Sequence, residues 1–467
     1  MMPPKETRYA GGRGRPEGGP REITRVRTQS RITLPANLAR VNEAARRNKS
    51  TRFTALLHHV DVGALERGFR RLKRSVAPGI DGETVASYEQ ELAQNLQRLH
   101  AQVHSGRYRP QPVRRVYIPK ANGSQRPLGI TALEDKIVQG AVAEVLSAIY
   151  EVDFLGFSYG FRPGRSPHGA LAALHTAFMT QYVNWVLDAD VRSFFDSVDH
   201  EWMLRMVAHR IADRRILRLI RGWLRAGVME GQRWSETVQG TPQGSGISPL
   251  LANIFMHYAL DLWVHQWRRR NARGRVIIVR YCDDFVMGFQ YEHDARQMLV
   301  HLKERLAKFK LTLHEQKTRL IEFGKLVSEL RRKHGAEQCE TFKFLGFTHY
   351  CAWSRDGRFV VMRRTDHKRL TRKLKELRVE ARRRMHTPIV LQHQWLCSVL
   401  RGHFAYFGLP SNFDRINAFY RETNRLWYRA LNRRSQRPFS WQCFLRLLER
   451  LPLPTPHITH PRPVVAC

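Results

Sequence analysis

Residues 275–289 have the sequence RVIIVRYCDDFVMGF, in which two runs of β-branched and aromatic residues flank an acidic dipeptide. This pattern predicts two short strands joined by a tight turn, with Asp283 and Asp284 at the turn. Two adjacent carboxylates in apolar surroundings are unfavourable unless a cation offsets their charge. The stretch is therefore either an ordinary aspartate-rich turn or part of a site for Mg²⁺, which prefers oxygen ligands.

A second acidic stretch offers the further ligand that such a site needs. The sequence NWVLDADV at 184–191 predicts a strand, and Asp190 lies at its end, where a ligand-presenting side chain belongs. Asp188 shares the same face of this strand and is a competing candidate. Asp196 and Asp199 have simpler interpretations as turn and helix-cap residues. Carboxylates from separate strands that hold two divalent ions are typical of enzymes that form phosphodiester bonds.

The charge of the chain indicates the class of its partner. Lys and Arg total 79 of the 467 residues against 41 Asp and Glu, which gives a formal net charge of +38. An excess of this size excludes a typical enzyme of small neutral substrates and favours nucleic acid. Because 42% of the residues are hydrophobic and 10% are aromatic, the chain can also form sizeable cores.

The cysteines and the hydropathy pattern bear on where the protein works. Six cysteines, none of them in a CxxC pair, indicate reduced thiols and not a disulfide framework or a zinc site. The first residues lack the apolar core of a secretory signal, and no stretch approaches the ~18 apolar residues of a membrane span. We therefore expect a cytoplasmic protein, in the bacterial cytosol or nucleoid, without membrane contact.

The first part of the chain predicts a basic extension followed by helices and a hairpin. Residues 1–50 hold twelve basic and four acidic residues and are rich in Gly and Pro, so we expect disorder or folding on a partner. Helical spacing over 51–110 is interrupted by the turn-rich 77–84. A hairpin is predicted around Asn122-Gly123, and 133–151 predict an amphipathic helix.

The rest of the chain predicts an α+β region followed by a helical one. Helices are predicted at 200–211, capped by Asp199, and at 292–309, and a further strand is predicted at 341–350. Helical periodicity dominates beyond 360, where residues 361–450 hold 21 basic and 6 acidic residues. We place a domain boundary near 355–365.

Six motifs occur along the chain in an order that resembles the group II intron-encoded reverse transcriptase/maturase proteins, over roughly residues 40–460. The resemblance implies an α+β right-hand polymerase (fingers and palm) followed by an all-helical thumb/maturase domain. Fingers are then expected at 51–180, the palm at 181–355, the thumb/maturase domain at 360–435, and a basic, candidate DNA-binding tail at 436–467, without the endonuclease domain of some members. The motifs are FSYGFRPGRS (157–166), DADVRSFFD (188–196), GTPQGSGISPLLANIFM (240–256), YCDDF (281–285), KTRLIEF (317–323) and FKFLGF (342–347).

The same resemblance implies a catalytic, metal-binding triad. Asp190, Asp283 and Asp284 would hold two Mg²⁺ ions, with Mn²⁺ as a substitute, and Val191 belongs to the same metal site. Cys282 is a departure, because the family more often has Ala there beside the primer terminus. We expect Cys282 to affect fidelity or rate, and not to abolish activity.

Other residues are assigned by the resemblance to nucleotide and nucleic acid. Phe195 corresponds to the steric gate that rejects the 2′-hydroxyl of ribonucleotides. Simpler interpretations remain open for several of the other residues. Lys120 and Arg126 could belong to a solvated basic hairpin, and residues 241–244 could be a plain β-turn. Lys317 could be a solvated lysine, and Arg162 and Arg165 could lie on a surface loop. The residues assigned to the incoming nucleotide are Lys120, Arg126, Phe195, Gln243 and Lys317, and those assigned to nucleic acid are Arg162, Arg165, Tyr281, Cys282 and Gly244.

The implied function is RNA-templated DNA synthesis combined with binding of a group II intron RNA, which assists splicing and intron mobility. The expected partners are the intron RNA, an RNA template–DNA primer duplex, a DNA target and dNTPs. Two alternatives remain open: a maturase that only binds RNA, and a domesticated relative used in phage defence or a CRISPR-linked system. The sequence leaves the oligomeric state open.

Overall fold

The computed structural model describes residues 35–119, 125–230, 233–237, 239–241, 245–335, 339–436 and 439–461. Four of the residues assigned above are affected by these ranges. Lys120, Gln243 and Gly244 lie outside the described residues, and so does the side chain of Arg126. Their assigned roles stay predictions.

The strands of the described residues form three sheets, with the orders β2-β1-β4-β5, β6-β7-β3-β8 and β11-β10-β9. The sheet β6-β7-β3-β8, called the central sheet below, carries the predicted acids. The strands are β1 (Val113–Pro119), β2 (Gln125–Ile130), β3 (Trp185–Asp190), β4 (Val228–Glu230), β5 (Arg233–Ser235), β6 (Val276–Tyr281), β7 (Asp284–Phe289), β8 (Arg319–Glu322), β9 (Phe342–Phe344), β10 (Phe347–Trp353) and β11 (Phe359–Thr365).

Helices surround these sheets and dominate the C-terminal part of the chain. Short 3₁₀ turns lie at Leu57–His59 and Pro410–Asn412, and a π-helical turn lies at His257–Asp261. The α-helices are α1 (Ala36–Arg47), α2 (Val62–Arg70), α3 (Val85–Gln90), α4 (Leu92–Ser105), α5 (Leu133–Tyr150), α6 (Pro167–Thr180), α7 (Phe194–Ser197), α8 (His200–Ala208), α9 (Arg214–Leu224), α10 (Ser248–Met256), α11 (Leu262–Arg270), α12 (Glu292–Ala307), α13 (Lys325–Lys333), α14 (His367–Arg383), α15 (Ile389–Phe407), α16 (Phe413–Asn432) and α17 (Trp441–Arg450).

The central sheet is buried on both faces, which explains the apolar runs of its strands. Leu187 and Phe285 pack into a core that extends to α5, α8 and α10. Val186 and Val286, their neighbours in sequence, pack into a second core with α6 and the C-terminal helices. Alternate residues of a strand point to opposite faces, so each strand serves both cores. The acids at the strand ends are therefore fixed from two sides.

Most of the predicted elements are confirmed. The strand at 184–191 is β3, the hairpin is β1 paired with β2, and the helices at 133–151, 200–211 and 292–309 are α5, α8 and α12. Asp199 caps α8 as predicted, because its carboxylate accepts the Trp202 N–H at 2.9 Å. The α+β class is thus confirmed within the described residues.

The single strand predicted at 341–350 is wrong. The chain forms β9 and β10 there, an antiparallel hairpin in which Phe344 pairs with Phe347. Leu345 and Gly346 form its two-residue turn, with φ of 49° and 81°. A turn with two positive φ values normally carries Asn-Gly or Asp-Gly, so Leu-Gly gives a weak turn signal.

The disorder predicted for residues 1–50 is wrong for its last part. Residues 36–47 form α1, which buries Leu38, Val41 and Ala45 in the first core. The buried Asn42 donates its side-chain N–H to the Ala148 carbonyl of α5 at 2.6 Å. Three buried apolar residues at helical spacing offset the basic remainder of this helix.

The boundary predicted at 355–365 falls within a β-hairpin. Strand β10 pairs with β11 along its whole length, and the helical region begins only at Asp366, whose carboxylate accepts the Arg369 N–H at 3.0 Å and caps α14. The helices α14 to α17 share a core with one face of the central sheet. Among the described residues, no helix is both long and apolar enough to cross a membrane.

Candidate active site

Asp190 and Asp284 lie directly opposite each other on neighbouring strands of the central sheet. Strand β3 ends at Asp190, β7 begins at Asp284, and the antiparallel register makes them cross-strand partners. Side chains of such partners share one face of the sheet, with Cβ atoms about 4.5–5.5 Å apart. Asp283 is the second residue of the two-residue turn between β6 and β7. All three predicted acids therefore lie at one edge of the sheet.

The carboxylates at this edge repel one another. Burial, together with the negative charges of Asp283, Asp188 and Asp190, raises the pKa of Asp284 to about 8. Burial also raises the pKa of Asp188 to about 6, although the nearby Arg319 guanidinium acts in the opposite direction. A divalent cation at this edge would relieve the repulsion, because it stabilises the charged form of each carboxylate.

The two acids of β3 differ in their partners and in their access to solvent. Asp188 lies 3.8 Å from the Arg319 guanidinium, accepts the backbone N–H of Lys343, and has a side chain that is 18% exposed. Asp190 accepts a hydrogen bond from Lys317 Nζ at 2.6 Å and has a side chain that is 40% exposed. The surroundings of Asp188 are thus those of a supporting residue, and Asp190 is the acid that a ligand can reach.

The donor set suits a hard divalent ion. Among the described residues, no group of three or more His, Cys, Asp or Glu side chains is already arranged as an ion cage. Carboxylate oxygens from β3 and β7 are nevertheless the ligands that Mg²⁺ prefers, and Mg²⁺ usually keeps several waters. Burial raises the pKa of Asp284 and the neighbouring carboxylates raise it further, so a bound ion would stabilise its charged form. The Val191 side chain has no donor atom, so only the backbone carbonyl of this residue could contribute a ligand.

The turn that carries Asp283 is closely packed. Cys282 has a φ of 61°, in the left-handed region, and its side chain is buried. Burial and the neighbouring Asp283 charge raise the pKa of the Cys282 thiol to about 12, which leaves the thiol protonated and unreactive at neutral pH. A Cβ on Gly160 would lie 2.4 Å from the Cys282 backbone nitrogen, so only glycine fits beside this turn.

Phe195 borders a cavity of about 570 Å³ between the β1–β2 hairpin and α7. Its ring is partly buried and packs edge-on against Phe194, with centroids 5.4 Å apart. The opposite wall includes Arg115 and Gly129. A cavity of this size accommodates a small polar molecule, and a bulky ring at its border restricts the shape of that molecule.

The described start of the Thr-Pro-Gln-Gly segment is attached to the Phe195 backbone. The Thr241 N–H donates to the Phe195 carbonyl at 2.7 Å, and the Gly240 N–H donates to the Val198 carbonyl at 2.8 Å. Gly240 has a φ of +91°, and a Cβ there would lie 2.9 Å from the Phe195 carbonyl oxygen. The segment that leads to Gln243 therefore starts beside Phe195.

Of the two arginines assigned to nucleic acid, Arg162 is in a structural position. It is 5% exposed, and its guanidinium donates to Glu151 at 3.0 Å and to the carbonyls of Leu155 and Ser158. A direct template contact by Arg162 does not agree with this burial. Arg165 is partly exposed and packs over the Tyr159 ring.

Two features beside the acids were not predicted. Phe161 is 57% exposed, has a φ of 55°, and lies with its ring 5.8 Å from that of Tyr281. The buried Arg280 contacts the backbone of the acidic turn from inside the core. The one signal for Arg280 in the sequence is a single charge within an otherwise apolar strand.

A basic groove leads from the acids to α14. Asp284 lies on one wall, and the remaining lining includes Lys343 on β9 and Lys368, Arg369 and Arg372 on α14, around a volume of about 320 Å³. Asp284 also accepts the backbone N–H of Leu345 in the β9–β10 turn. The exposed cations next to the acidic edge form a surface suited to a phosphate backbone.

Comparison with known proteins agrees with this geometry. Residues 118–349 match the family model described as reverse transcriptase (RNA-dependent DNA polymerase). The chain is 37% identical over 244 residues to protein YkfC of Escherichia coli strain K12, covering 46% of this chain and 64% of that protein. It is 38% identical over 199 residues to the group II intron-encoded protein LtrA of Lactococcus lactis, covering 42% of this chain and 32% of that protein.

A more distant similarity extends to a plant protein. Over 92 residues the chain is 30% identical to nuclear intron maturase 1, mitochondrial, of Arabidopsis thaliana, covering 20% of this chain and 13% of that protein. The chain thus spans less than two thirds of the length of each of these relatives. The matched family region contains β3, β6 and β7 and therefore all three acids.

Proposed function

Residues 118–349 are a reverse transcriptase domain of the kind found in group II intron-encoded proteins, and on that premise we propose that the chain is an RNA-directed DNA polymerase. The observation that carries this proposal is the cross-strand pairing of Asp190 with Asp284, with Asp283 on the adjoining turn. We propose the arrangement of a right hand, with fingers at 51–180, a palm at 181–355 and a helical thumb at 360–435. The helix α1 supports the fingers through its packing against α5.

Asp190, Asp283 and Asp284 are the proposed ligands of two Mg²⁺ ions, for which Mn²⁺ can substitute. When bound, such ions lower the pKa of a primer 3′-hydroxyl and neutralise the charge of the leaving pyrophosphate. The protein supplies the fixed position of its carboxylates, because β3 and β7 are held between two cores. Val191 contributes to the same site through its backbone.

The incoming dNTP is proposed to occupy the cavity beside Phe195. The ring would exclude a 2′-hydroxyl and so select deoxyribonucleotides. Lys120, Arg126 and Gln243 are proposed to contact the triphosphate and the nascent base pair. Lys317, which is ion-paired with Asp190, is close enough to the reacting groups to contact phosphate or to donate a proton to the leaving group.

The template–primer duplex is proposed to follow the basic groove between Asp284 and α14. Lys368, Arg369 and Arg372 are exposed there, so they can neutralise phosphates. Tyr281, Gly244 and Arg165 are proposed to lie along the nucleic acid, whereas the buried Cys282 side chain supports the acidic turn from inside and is not proposed to contact the nucleic acid. Arg162 supports the loop of Arg165 from inside, and this replaces its earlier assignment to direct template contact.

A second role is proposed for the basic helical region, namely binding of a group II intron RNA in support of splicing and mobility. The net positive charge of 361–450 and the relation to LtrA and to the plant intron maturase favour it. The tail 436–467 would contact a DNA target, and the protein would work in the cytoplasm. A group II intron RNA should then flank the coding sequence, and purified protein should accelerate the splicing of that RNA.

The polymerase proposal is tested by primer extension on an RNA template with Mg²⁺. Wild-type protein should extend the primer, and Asp283→Ala should reduce the rate by at least ~10³-fold, because a removed metal ligand abolishes the transition-state stabilisation that depends on the ion. Glu292→Ala is the matched control and should retain wild-type activity, because Glu292 begins α12 just beyond Phe289, at the end of β7 opposite to Asp284, and its side chain is 44% exposed. Inactive wild-type protein, or full activity of Asp283→Ala, would refute the proposal.

The same assay separates the two alternatives. A maturase that only binds RNA would bind intron RNA with wild-type affinity and extend no primer. A domesticated polymerase would extend primers, and its gene would lack a flanking intron RNA. The retained acids favour an active polymerase, and the relation to intron-encoded proteins favours the intron role.

A further inference from the structure

Arg280 is a fully buried charge immediately before the acidic turn. It occupies the next-to-last position of β6 and is 0% exposed, within a strand of Val and Ile. A buried guanidinium is costly unless it is paired and its donors are satisfied. Its retention in this strand therefore calls for a specific set of partners.

The partners of Arg280 satisfy every N–H of the guanidinium. Nε and Nη2 donate to the two carboxylate oxygens of Asp261 at 2.7 and 2.6 Å, and Nη2 also donates to Ser158 Oγ at 2.7 Å. Nη1 donates to Asn253 Oδ1 at 3.0 Å and to the Cys282 carbonyl at 2.7 Å. Arginine has five N–H donors, and all five have an acceptor here.

These partners come from elements that surround the turn. Asp261 is fully buried and ends the π-helical turn His257–Asp261, a local irregularity that is frequent at functional sites. Asn253 on α10 also donates its amide N–H to the Gly160 carbonyl at 2.7 Å. The Phe157–Gly160 segment itself pairs with β6, because the Tyr159 N–H donates to the Arg280 carbonyl at 2.8 Å. One guanidinium thus connects the turn, α10, the π-helical turn and this segment.

The contact with Cys282 is the one that reaches the acids. Only the first residue of the two-residue turn has a positive φ, and that position usually carries glycine. A cysteine with φ near +60° is strained, by roughly 1 kcal/mol. Arg280 binds the carbonyl of this residue, while the Gly160 backbone presses against its N–H side. The conformation of the turn, and with it the direction of Asp283 and Asp284, is fixed from both sides.

We propose that Arg280, with Asp261 as its counter-ion, is a positioning residue that holds the Cys282–Asp283 turn in the conformation required for divalent-ion binding. This inference rests on the proposed polymerase function and adds to it a set of supporting residues. Arg280 cannot touch substrate itself, since no part of it is exposed. Its effect passes through the Cys282 carbonyl to the two acids that follow.

Arg280→Lys tests this proposal, with Arg210→Lys as the matched control. Arg210 is a second buried arginine, 2% exposed, that pairs with Asp153 at 2.5 Å away from the acidic turn. In both variants the lysine keeps the positive charge, but its single ammonium group cannot replace the five planar N–H donors of a guanidinium. Both should therefore lower the Tm. Only Arg280→Lys should lose the bond to the Cys282 carbonyl.

Three readouts separate positioning from mere stability. With saturating template–primer and dNTP, Arg280→Lys should lower kcat by about 100-fold, as expected for a misplacement of about 1 Å. It should also raise the Mg²⁺ concentration of half-maximal activity and reduce the rise in Tm that Mg²⁺ or Mn²⁺ produces in the free protein. The affinity for template–primer should stay unchanged, and Arg210→Lys should keep wild-type values for all three.

The outcomes are distinguishable. If Arg280→Lys matches Arg210→Lys in kcat and in metal-induced Tm rise, Arg280 only stabilises the fold and the proposal is overturned. If Arg280→Lys does not fold, Asn253→Ala removes one acceptor of Arg280 and should show the same pattern at smaller amplitude; wild-type behaviour of this variant would also overturn the proposal. Inactive wild-type protein would refute the polymerase function, and the metal-induced Tm rise would still decide the role of Arg280.

Discussion

At the scale of single residues, Phe195 offers the sharpest functional prediction. Phe195→Ala removes the ring that borders the proposed nucleotide cavity, so ribonucleotides should be incorporated at least ~10-fold more readily relative to dNTPs, a difference of about 1.4 kcal/mol in discrimination. Single-nucleotide incorporation with dNTP and rNTP pairs measures it. Phe195→Tyr keeps the ring and should keep the wild-type ratio. Unchanged discrimination in Phe195→Ala would place the gate at another residue.

At this scale, a functional residue can be predicted from the sequence when its immediate neighbours in the chain already indicate its role. Asp283 and Asp284 are recognisable because two acids interrupt an apolar hairpin. Arg162 is different, because the same Gly- and Pro-rich loop suits either a phosphate contact or an internal one, and only the Ser158 and Leu155 carbonyls show which applies. Apart from the Cys282 carbonyl, the partners of Arg280 are side chains that lie 19 to 122 residues away in sequence, so no local pattern reveals them.

At the scale of elements, the contact between the Phe157–Gly160 segment and the β6–β7 turn gives a second prediction. Gly160→Ala places a Cβ 2.4 Å from the Cys282 nitrogen, so the turn must shift and the polymerase rate should fall by roughly 10- to 100-fold. Gly156→Ala is the control, since its Cβ would meet no atom within 4 Å and its φ is not in the left-handed region. Steady-state primer extension on both variants is the measurement. Equal rates would show that the turn tolerates displacement.

Helices and strands were predictable where the spacing of apolar residues and the capping or turn residues at the ends indicated the same element. The helix α8 satisfies both conditions, because its apolar stripe follows the capping residue Asp199. The β9–β10 hairpin was missed because Leu345 adopts a positive φ, which its side chain does not favour. The helix α1 was missed because its sequence is rich in Arg and its apolar stripe is short. This stripe stabilises the helix only when α5 covers it.

At the scale of the whole molecule, the positive charge predicts strong salt dependence of template–primer binding. Each phosphate contact that is lost lowers the slope of log K against log salt by about 1, so Lys368→Ala combined with Arg372→Ala should lower it by about 2. Both residues are exposed in the groove beside Asp284. Arg296→Ala, on the exposed face of α12, should leave the slope unchanged. Fluorescence anisotropy across a salt series measures the slopes, and equal slopes would exclude this groove as the duplex path.

Buried histidines predict how stability changes with pH. Burial lowers the pKa of His349 and His257 to about 3 and that of His403 to about 4. These values lie below the pKa of about 6.5 that histidine has in the unfolded chain. The contribution of each buried neutral ring to folding stability is therefore fully present above pH 6.5, and it is lost as the pH falls from there towards the folded pKa. Between pH 7.5 and 5.0 one such histidine should cost about 2 kcal/mol of unfolding free energy.

His349→Phe is the variant that isolates this effect. The ring of His349 stacks on Phe342 with centroids 4.6 Å apart, so a phenyl ring can take its place without a titrating group. Denaturant unfolding at pH 7.5 and 5.0 should show a smaller loss of stability in His349→Phe than in wild type. An identical loss would mean that folding does not lower the pKa of His349.

The central claim is that the acids paired across β3 and β7 form one metal-dependent polymerase site, and the two aspartates of β3 test it most directly. Rapid-quench incorporation of one dNTP on an RNA template, with Mg²⁺, should compare Asp190→Asn and Asp188→Asn. Asp190 lies opposite Asp284 and is accessible, so Asp190→Asn should lower the rate by at least ~10³-fold. Asp188 is engaged with Arg319 and Lys343, so Asp188→Asn should stay within ~10-fold of wild type. A severe loss in Asp188→Asn together with near-normal activity in Asp190→Asn would contradict the account.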